Sequence, residues 1–241
     1  MDNKFKLFIL FLPLILFNCT KNSCDDLNDG IYIYPEVKGK SLKESIELYK
    51  IPKEILQCIS TNGLIQSCIN YPEMRLIWTR NSLQAGFDYI EEICNGFDEL
   101  WTRKDKNEAL IDLYSQLDFQ NNWITYSSSD IDIIIRYELI LAQNEILLDL
   151  TDIQKLKLFQ LVLENQKIKS KSQDFGGLGM ASSLAIISRI MLNDQYPPFL
   201  EKYKNNMDIR ISVDLIQGLQ EKSREEIMTI AEDFLEILKN K

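Results

Sequence analysis

The sequence predicts an all-α protein whose antiparallel helices form an α/α stack or an irregular helical solenoid after a short extended N-terminal segment. From Ser41 onward, apolar residues recur at helical spacing, and capping signals and turn residues separate the periodic segments. Only residues 31–37, Ile-Tyr-Ile-Tyr-Pro-Glu-Val, have the composition of a strand, and Pro35 argues against a central one. We expect this stretch to run extended over the surface of the helical body.

Residues 1–18 are predicted to be an export signal. Lys4 and Lys6 precede eleven uncharged residues, 7–17, too few for the ~20 that a membrane-spanning helix needs. Residues 16–19, Leu-Phe-Asn-Cys, resemble the lipobox of bacterial lipoproteins, although Asn18 stands where Gly, Ala or Ser is usual. In that motif the cysteine sulfur takes up a diacylglyceryl group, so we expect lipidation of Cys19. The alternative is an ordinary secreted protein that is cut near the same place.

Lipidation would place the mature chain in the cell envelope, anchored to the outer membrane, with the periplasmic and the cell-surface side both open. Two or more acyl chains hold a protein stably on a bilayer. Residues 19–30 are polar and are predicted to form a flexible tether. Cys24 lies in this tether and is expected to pair with nothing inside the fold.

The helical body is predicted in two halves, 31–117 and 131–241, which the polar connecting loop 118–130 joins into one continuous globular unit. The N-terminal half has short predicted helices at 42–50, 52–59, 61–70, 83–94, 97–104 and 106–117. The C-terminal half has longer ones at 131–149, 152–169, 178–193, 198–206 and 224–239. The helices 131–149 and 178–193 are apolar on most faces and should be central, whereas 224–239 has one apolar stripe and should cover an end.

Three capping pairs predict helix starts near residues 42, 152 and 224: Ser41 with Glu44, Thr151 with Gln154, and Ser223 with Glu226. Two turn signals predict helix ends, at residues 70–72, Asn-Tyr-Pro, and at residues 95–96, Asn-Gly.

Composition excludes several classes of function. The chain has 27 basic and 36 acidic residues and no basic run, which argues against nucleic-acid binding. It has no histidine, which removes Ser-His-Asp and Cys-His catalysis and every imidazole-bound metal. No Ser-x-x-Lys spacing is present either, so paired carboxylates are the remaining catalytic machinery. We expect no cofactor and no metal.

Four cysteines follow Cys19, an even number in a compartment that permits disulfides. Cys58 and Cys68 fall on consecutive predicted helices and could be bridged across a hairpin. The alternative is that they are free, buried cysteines that pack as small apolar residues, as Cys94 could also be.

Three further groups are candidate sites. The adjacent pairs Glu91-Glu92 and Asp98-Glu99 could supply hydrolytic carboxylates, but neighbours on a helix point about 100° apart, which favours a solvated face. Residues 176–179, Gly-Gly-Leu-Gly, could form an anion-binding nest, but a flexible helix start is favoured. The candidate surface-binding aromatics are Trp123, in the polar loop, and Trp78. Trp78 and Trp101 could also be partly buried.

Residues 48–104 resemble a group of predicted lipoproteins from Bacteroidetes-type bacteria. The resemblance rests on Ile-Pro-Lys-Glu-Ile-Leu at 51–56, Ser-Thr-Asn-Gly-Leu-Ile at 60–65, Cys-Ile-Asn-Tyr-Pro at 68–72, Gly-Phe-Asp at 86–88 and Asn-Gly-Phe-Asp-Glu-Leu at 95–100. It covers under a third of the mature chain, supports the lipoprotein interpretation and implies no activity or catalytic residues.

The anchor, the stacked helices and the missing catalytic motifs favour a non-enzymatic interaction module. We expect a membrane-anchored envelope lipoprotein that presents a grooved face to a protein or glycan partner. The alternative is an envelope hydrolase of glycosidase type, which would use two carboxylates that the fold brings together.

Overall fold

The fold consists of helices packed on one another, as the sequence predicts. The structure, a computed structural model, describes Cys24, Leu27 and residues 30–117, 128–172 and 175–240. These residues contain helices and no β-strand. The predicted signal peptide, Cys19 and Trp123 lie outside them, as does most of the predicted loop 118–130.

Thirteen α-helices and one 3₁₀ helix make up the described part of the chain. The N-terminal half holds α1 (Leu42–Leu48), α2 (Lys53–Cys58), α3 (Thr61–Ile69), the 3₁₀ helix Pro72–Thr79, α4 (Leu83–Ile93), α5 (Asn95–Thr102) and α6 (Lys106–Ser115). The C-terminal half holds α7 (Ser128–Leu141), α8 (Asn144–Leu147), α9 (Asp152–Lys169), α10 (Gly176–Asn193), α11 (Pro197–Asn205), α12 (Met207–Leu215) and α13 (Glu221–Lys239).

Two of the three predicted capping boxes are confirmed, and the third is wrong. The side chains of Ser41 and Thr151 each accept a hydrogen bond from the backbone N–H three residues on. The side chains of Glu44 and Gln154 in turn accept a hydrogen bond from the backbone N–H of the N-cap residue. The last helix starts instead at Glu221, with Gln220 as its N-cap. Ser223 is buried inside its first turn, where its hydroxyl does not serve as a cap.

The helix end predicted near Asn95-Gly96 is present, but Asn95 and Gly96 are not the residues that terminate the helix. Helix α4 ends at Ile93, and Asn95 begins α5 directly after the extended Cys94. The Asn95 side chain holds this junction, because its Oδ1 accepts from Ile51 N at 2.9 Å and its Nδ2 donates to Ile51 O at 2.9 Å. The two hydrogen bonds fix the start of α5 against the chain between α1 and α2.

Helix α10 is the centre of the body. Every residue from Gly179 to Ser188 is buried, and the helix packs against α7, α8, α9, α11, α12 and α13. Helices α3, α4 and α6 of the N-terminal half pack on α7, and α6 also packs on α9. One apolar core therefore runs through both halves, and α13 covers its end, where Ile227, Ala231 and Phe234 are buried.

Two glycines allow backbones to approach where a side chain would not fit. A Cβ on Gly86 would lie 2.7 Å from Ile77 Cα, which means that α4 packs directly on the backbone of the 3₁₀ helix. A Cβ on Gly63 would overlap the Gly30 carbonyl. Gly63 thus lets the N-terminal segment lie flat across α3, where Tyr32 N also donates to Ser67 Oγ at 2.9 Å.

The cysteine prediction is wrong in its pairing. Cys58 forms its disulfide with Cys24, at a Cα–Cα distance of 6.1 Å, and Cys68 and Cys94 are free and buried. Cys58 stands at the exposed end of α2, whereas Cys68 faces the core from α3, so the two point to different surroundings. The free tether predicted over 19–30 is accordingly wrong at Cys24, and Leu27 also packs against the core.

A fully buried ion pair lies between α7, α9 and α10. Lys169 Nζ contacts the Glu138 carboxylate oxygens at 2.6 and 2.5 Å, and both side chains are 0% exposed. Tyr114 Oη and Ser182 Oγ donate to the same carboxylate, at 2.6 and 2.5 Å. Burial lowers the pKa of Lys169, and the carboxylate partly opposes that shift. The shared hydrogen bonds compensate the desolvation of both charges.

Candidate functional site

A polar cavity of about 440 Å³ opens where α4, α8, α10 and α12 meet, and we call it the carboxylate pocket. Its carboxylates are Asp88, Glu91, Glu145 and Asp214. Its amides are Gln84, Gln143, Asn144 and Asn193, and its only cation among the described residues is Arg189. Four carboxylates against one guanidinium leave the pocket with a formal charge of −3.

Helix periodicity builds the α4 wall. Gln84, Asp88 and Glu91 are spaced by four and three residues, which places them on one face of α4. Gln84 Nε2 donates to Asp88 Oδ1 at 2.6 Å and to Gln143 Oε1 at 2.9 Å. Gln143 Nε2 donates to Leu139 O at 2.6 Å, so the amide is anchored to the end of α7.

Arg189 forms the back of the pocket by binding two helix ends. Its guanidinium donates to Ala142 O at 2.8 Å, just beyond α7, and to Val213 O and Asp214 O at 3.1 Å in the last turn of α12. These are carbonyls of the kind that helix C-termini leave without intrahelical partners. Burial lowers the pKa of Arg189, partly opposed by Asp214 and Asp88, yet an arginine remains charged.

The Glu91 carboxyl has an altered acidity. Partial burial raises its pKa, and the neighbouring carboxylates of Glu145, Asp88 and Asp98 add to the rise. Trp101 Nε1 donates a hydrogen bond to Glu91 Oε1 at 2.6 Å. This hydrogen bond stabilises the charged carboxylate and partly opposes the rise in the pKa of Glu91. The result is a carboxyl that holds a proton to a higher pH than a free glutamate.

Gln84 also supplies an unpaired acceptor. Its Oε1 is buried and has no hydrogen-bond partner among the described residues. An unpaired buried acceptor destabilises a fold, and an ordered water or a donor group of a ligand in the pocket would supply the missing hydrogen bond. The pocket as a whole is thus rich in acceptors, with the donors concentrated on Arg189 and the amides.

The sequence-predicted carboxylate pairs are divided by the fold. Glu91 enters the pocket, whereas Glu92 is exposed outside its lining. Asp98 is exposed and Glu99 forms an ion pair with Arg103 at 2.7 Å. Adjacent carboxylates therefore do not make the site, and the partners of Glu91 come from other helices.

The tryptophans do not form one platform in the described structure. Trp78 is 42% exposed, and its Nε1 donates to Asp132 Oδ1 at 3.0 Å. It borders a separate cavity of about 290 Å³ with Arg80, Leu178 and Gln217. Trp101 is half-buried and packs on Phe97, with ring centroids 5.5 Å apart.

The glycine-rich segment forms the first turn of α10. Gly176 has a positive φ of 52°, which glycine adopts without strain, and the helix begins there. Gly179 O accepts a hydrogen bond from Lys169 Nζ at 2.9 Å, so this turn serves the buried ion pair. These contacts fit the favoured interpretation of the segment as a helix start.

The described part of the chain shows no other recognised kind of site. It has no group of three or more acidic or cysteine residues arranged to hold a metal ion. None of its helices is both long and apolar enough to cross a bilayer. Comparison with protein-family models, curated proteins and solved structures found no match. The site must therefore be interpreted from its own chemistry.

Proposed function

We propose that this protein is a lipid-anchored envelope protein that binds a glycan in the carboxylate pocket without transforming it. The observation that carries the proposal is the convergence of four carboxylates, four amides and one fixed guanidinium on a single open cavity. Sugar hydroxyls both donate and accept hydrogen bonds, and such a lining offers acceptors and donors to each of them.

The charge of the pocket limits the classes of glycan that could bind in it. A formal charge of −3 disfavours a sugar acid, because carboxylate or phosphate groups would be repelled by Asp88, Glu145 and Asp214. It favours a glycan that carries an ammonium group, which would satisfy both the charge and the excess of acceptors. We therefore propose an amino-sugar unit as the preferred ligand.

The resemblance to Bacteroidetes-type lipoproteins supports the same setting. It covers residues 48–104, which include α4 and its pocket residues, and it favours a chain that works at the envelope. The lipobox-like segment before Cys19 supplies the anchor, and a binding protein held at the membrane would act on glycans of that compartment.

Glucosamine oligosaccharides test the proposal. We expect them to bind the mature protein in calorimetry, more tightly than their N-acetylated counterparts. Glu145→Gln should weaken binding by roughly tenfold or more, because hydrogen bonds to charged groups are worth about 1.5–3 kcal/mol. Glu145 is exposed, so the Glu145→Gln variant should keep the fold of the unaltered protein. Glu92→Gln is the matched control, since Glu92 is an exposed glutamate outside the lining. Equal affinity in both variants, or no binding at all, would refute the assignment.

One observation favours a second function, hydrolysis of a glycan. The raised pKa of Glu91 is what a general acid needs, and neighbouring carboxylates could act as its base or nucleophile. The two functions separate in the same experiment. Release of shorter sugars that Glu91→Gln abolishes would establish the hydrolase, whereas binding without products supports the binding protein.

A further inference from the structure

The Cys24–Cys58 disulfide determines which side of the body can reach the membrane. The inference rests on the lipid anchor at Cys19 that the proposed function includes. Cys24 is five positions after Cys19, and a fully extended chain covers at most about 3.6 Å per position, or about 18 Å. With the 6.1 Å between the two disulfide Cα atoms, Cys58 lies within about 24 Å of the lipid-bearing residue.

That reach is short compared with the size of the protein. A domain of this length has a radius of gyration of about 17 Å, which corresponds to a diameter of about 44 Å. Without the disulfide, the next residue that packs against the core is Leu27, eight positions after Cys19 and at most about 29 Å from it when the chain is extended. The disulfide therefore shortens the reach and keeps the far side of the body from turning to the bilayer.

Three large apolar side chains are exposed in the part of the chain between the N-terminal segment and α2. Ile33, Leu42 and Leu48 are 65%, 42% and 48% exposed, and they lie in the segment before α1 and on α1 itself. Tyr34 packs on Tyr49 with ring centroids 5.8 Å apart, which holds that segment against the end of α1. Three exposed large apolar side chains within sixteen residues of the chain are the reason to assign a partner to this part of the surface.

The same region differs from the rest of the chain in charge. Residues 31–60 carry five lysines and four glutamates, a net charge of +1, whereas residues 61–241 carry 19 basic and 28 acidic residues, a net charge of −9. All five lysines are exposed: Lys38, Lys40, Lys43, Lys50 and Lys53. Anionic headgroups repel the acidic remainder and are tolerated or attracted by this region.

We infer that the surface formed by residues 33–53, which we call the membrane face, lies on the lipid bilayer that holds the anchor. Leu42, Leu48 and Ile33 enter the headgroup region, and the lysines contact anionic headgroups. The protein is therefore held against the membrane in one orientation.

Photocrosslinking in membranes tests this orientation. A benzophenone amino acid is placed at position 42 or 48 of the full-length lipidated chain, and at position 237 as control, since Leu42 and Ile237 are both 42% exposed. We expect lipid adducts by mass spectrometry at 42 and 48 and only background at 237. Equal adducts at 237, or none at 42 and 48 in protein recovered with the membrane, would overturn the inference.

Two double variants and a control distinguish a failure of the membrane face from a failure of the lipid anchor. Removing the disulfide with Cys24→Ser and Cys58→Ser should keep the protein in the membrane fraction but reduce the adducts at 42 and 48. Lys43→Glu with Lys50→Glu should also reduce them, whereas Lys204→Glu with Lys222→Glu, which changes exposed lysines elsewhere, should not. Protein absent from the membrane fraction would instead refute the lipid anchor. Adducts unchanged by loss of the disulfide would refute the role assigned to it.

Discussion

Lys169→Met is expected to destabilise the protein by about 3–5 kcal/mol, the largest effect of any substitution considered. The Glu138 carboxylate would remain fully buried without its counter-ion, retaining hydrogen bonds from Tyr114 and Ser182. The methionine fills a similar volume, so the loss measures the uncompensated charge and not a cavity. Equilibrium unfolding in urea, followed by circular dichroism, gives the free energy directly.

Two companion variants make that result interpretable. Lys157→Met removes a lysine from the ion pair with Asp112, whose side chains are 51% and 48% exposed, and should cost less than about 1 kcal/mol. Glu138→Gln combined with Lys169→Met should recover part of the loss, because no buried charge remains. The explanation fails if Lys169→Met costs no more than Lys157→Met.

Removal of the Cys24–Cys58 disulfide is expected to have the second largest effect. The bond closes a loop with a sequence separation of 34 residues, and the loss of its constraint on the unfolded chain corresponds to about 3–4 kcal/mol. The double variant Cys24→Ser and Cys58→Ser should show this loss in urea unfolding, and reduction of the unaltered protein should reproduce it.

Thiol titration checks the pairing independently. In denaturant, the body without Cys19 should expose two free thiols, Cys68 and Cys94, and reduction should raise the number to four. A disulfide-linked peptide pair containing Cys58 and Cys68 would contradict the structure. Variants of Cys68 serve as the control, because they should leave the titration of the Cys24–Cys58 bond unchanged.

Local signals predicted much of the fold. The helix from Asp152 to Lys169 was predicted with its observed bounds, and its start is marked by the complete capping box of Thr151 and Gln154. The predicted helix 131–149 is divided in the structure into α7 and α8, with an extended Gln143 between them. That break depends on Arg189, 47 residues away, which binds Ala142 O. Hydrophobic periodicity along the sequence does not indicate such a long-range contact.

Helix α12 was missed for a different reason. Its apolar residues alternate with polar ones instead of following the helical period, and three of them are β-branched, which lowers helix propensity: Met207, Ile209, Ile211, Val213 and Leu215. Asn206 was the available signal, since its side chain accepts from the backbone N–H groups of Asp208 and Ile209 as an N-cap. The helix is stabilised by packing on α10 and α11, which a local pattern does not contain.

The sequence predicted the kind of chemical group in the candidate site, carboxylates, but not most of the residues that form it. The absence of histidine pointed to carboxylates, and Glu91 was among the candidates, but Glu145 and Asp214 lie 54 and 123 residues further along the chain. A lone charge in an apolar helix was the usable signal. Arg189 in α10 has this character, and it proves to organise the back of the carboxylate pocket.

The proposed location and the membrane face both require acylation of Cys19. Mass spectrometry of the N-terminal peptide from protein purified out of native membranes measures this directly. We expect a peptide that begins at Cys19 and carries a diacylglyceryl group on its sulfur, and Cys19→Ser should prevent its formation. An unmodified peptide, from protein released freely into solution, would contradict the account.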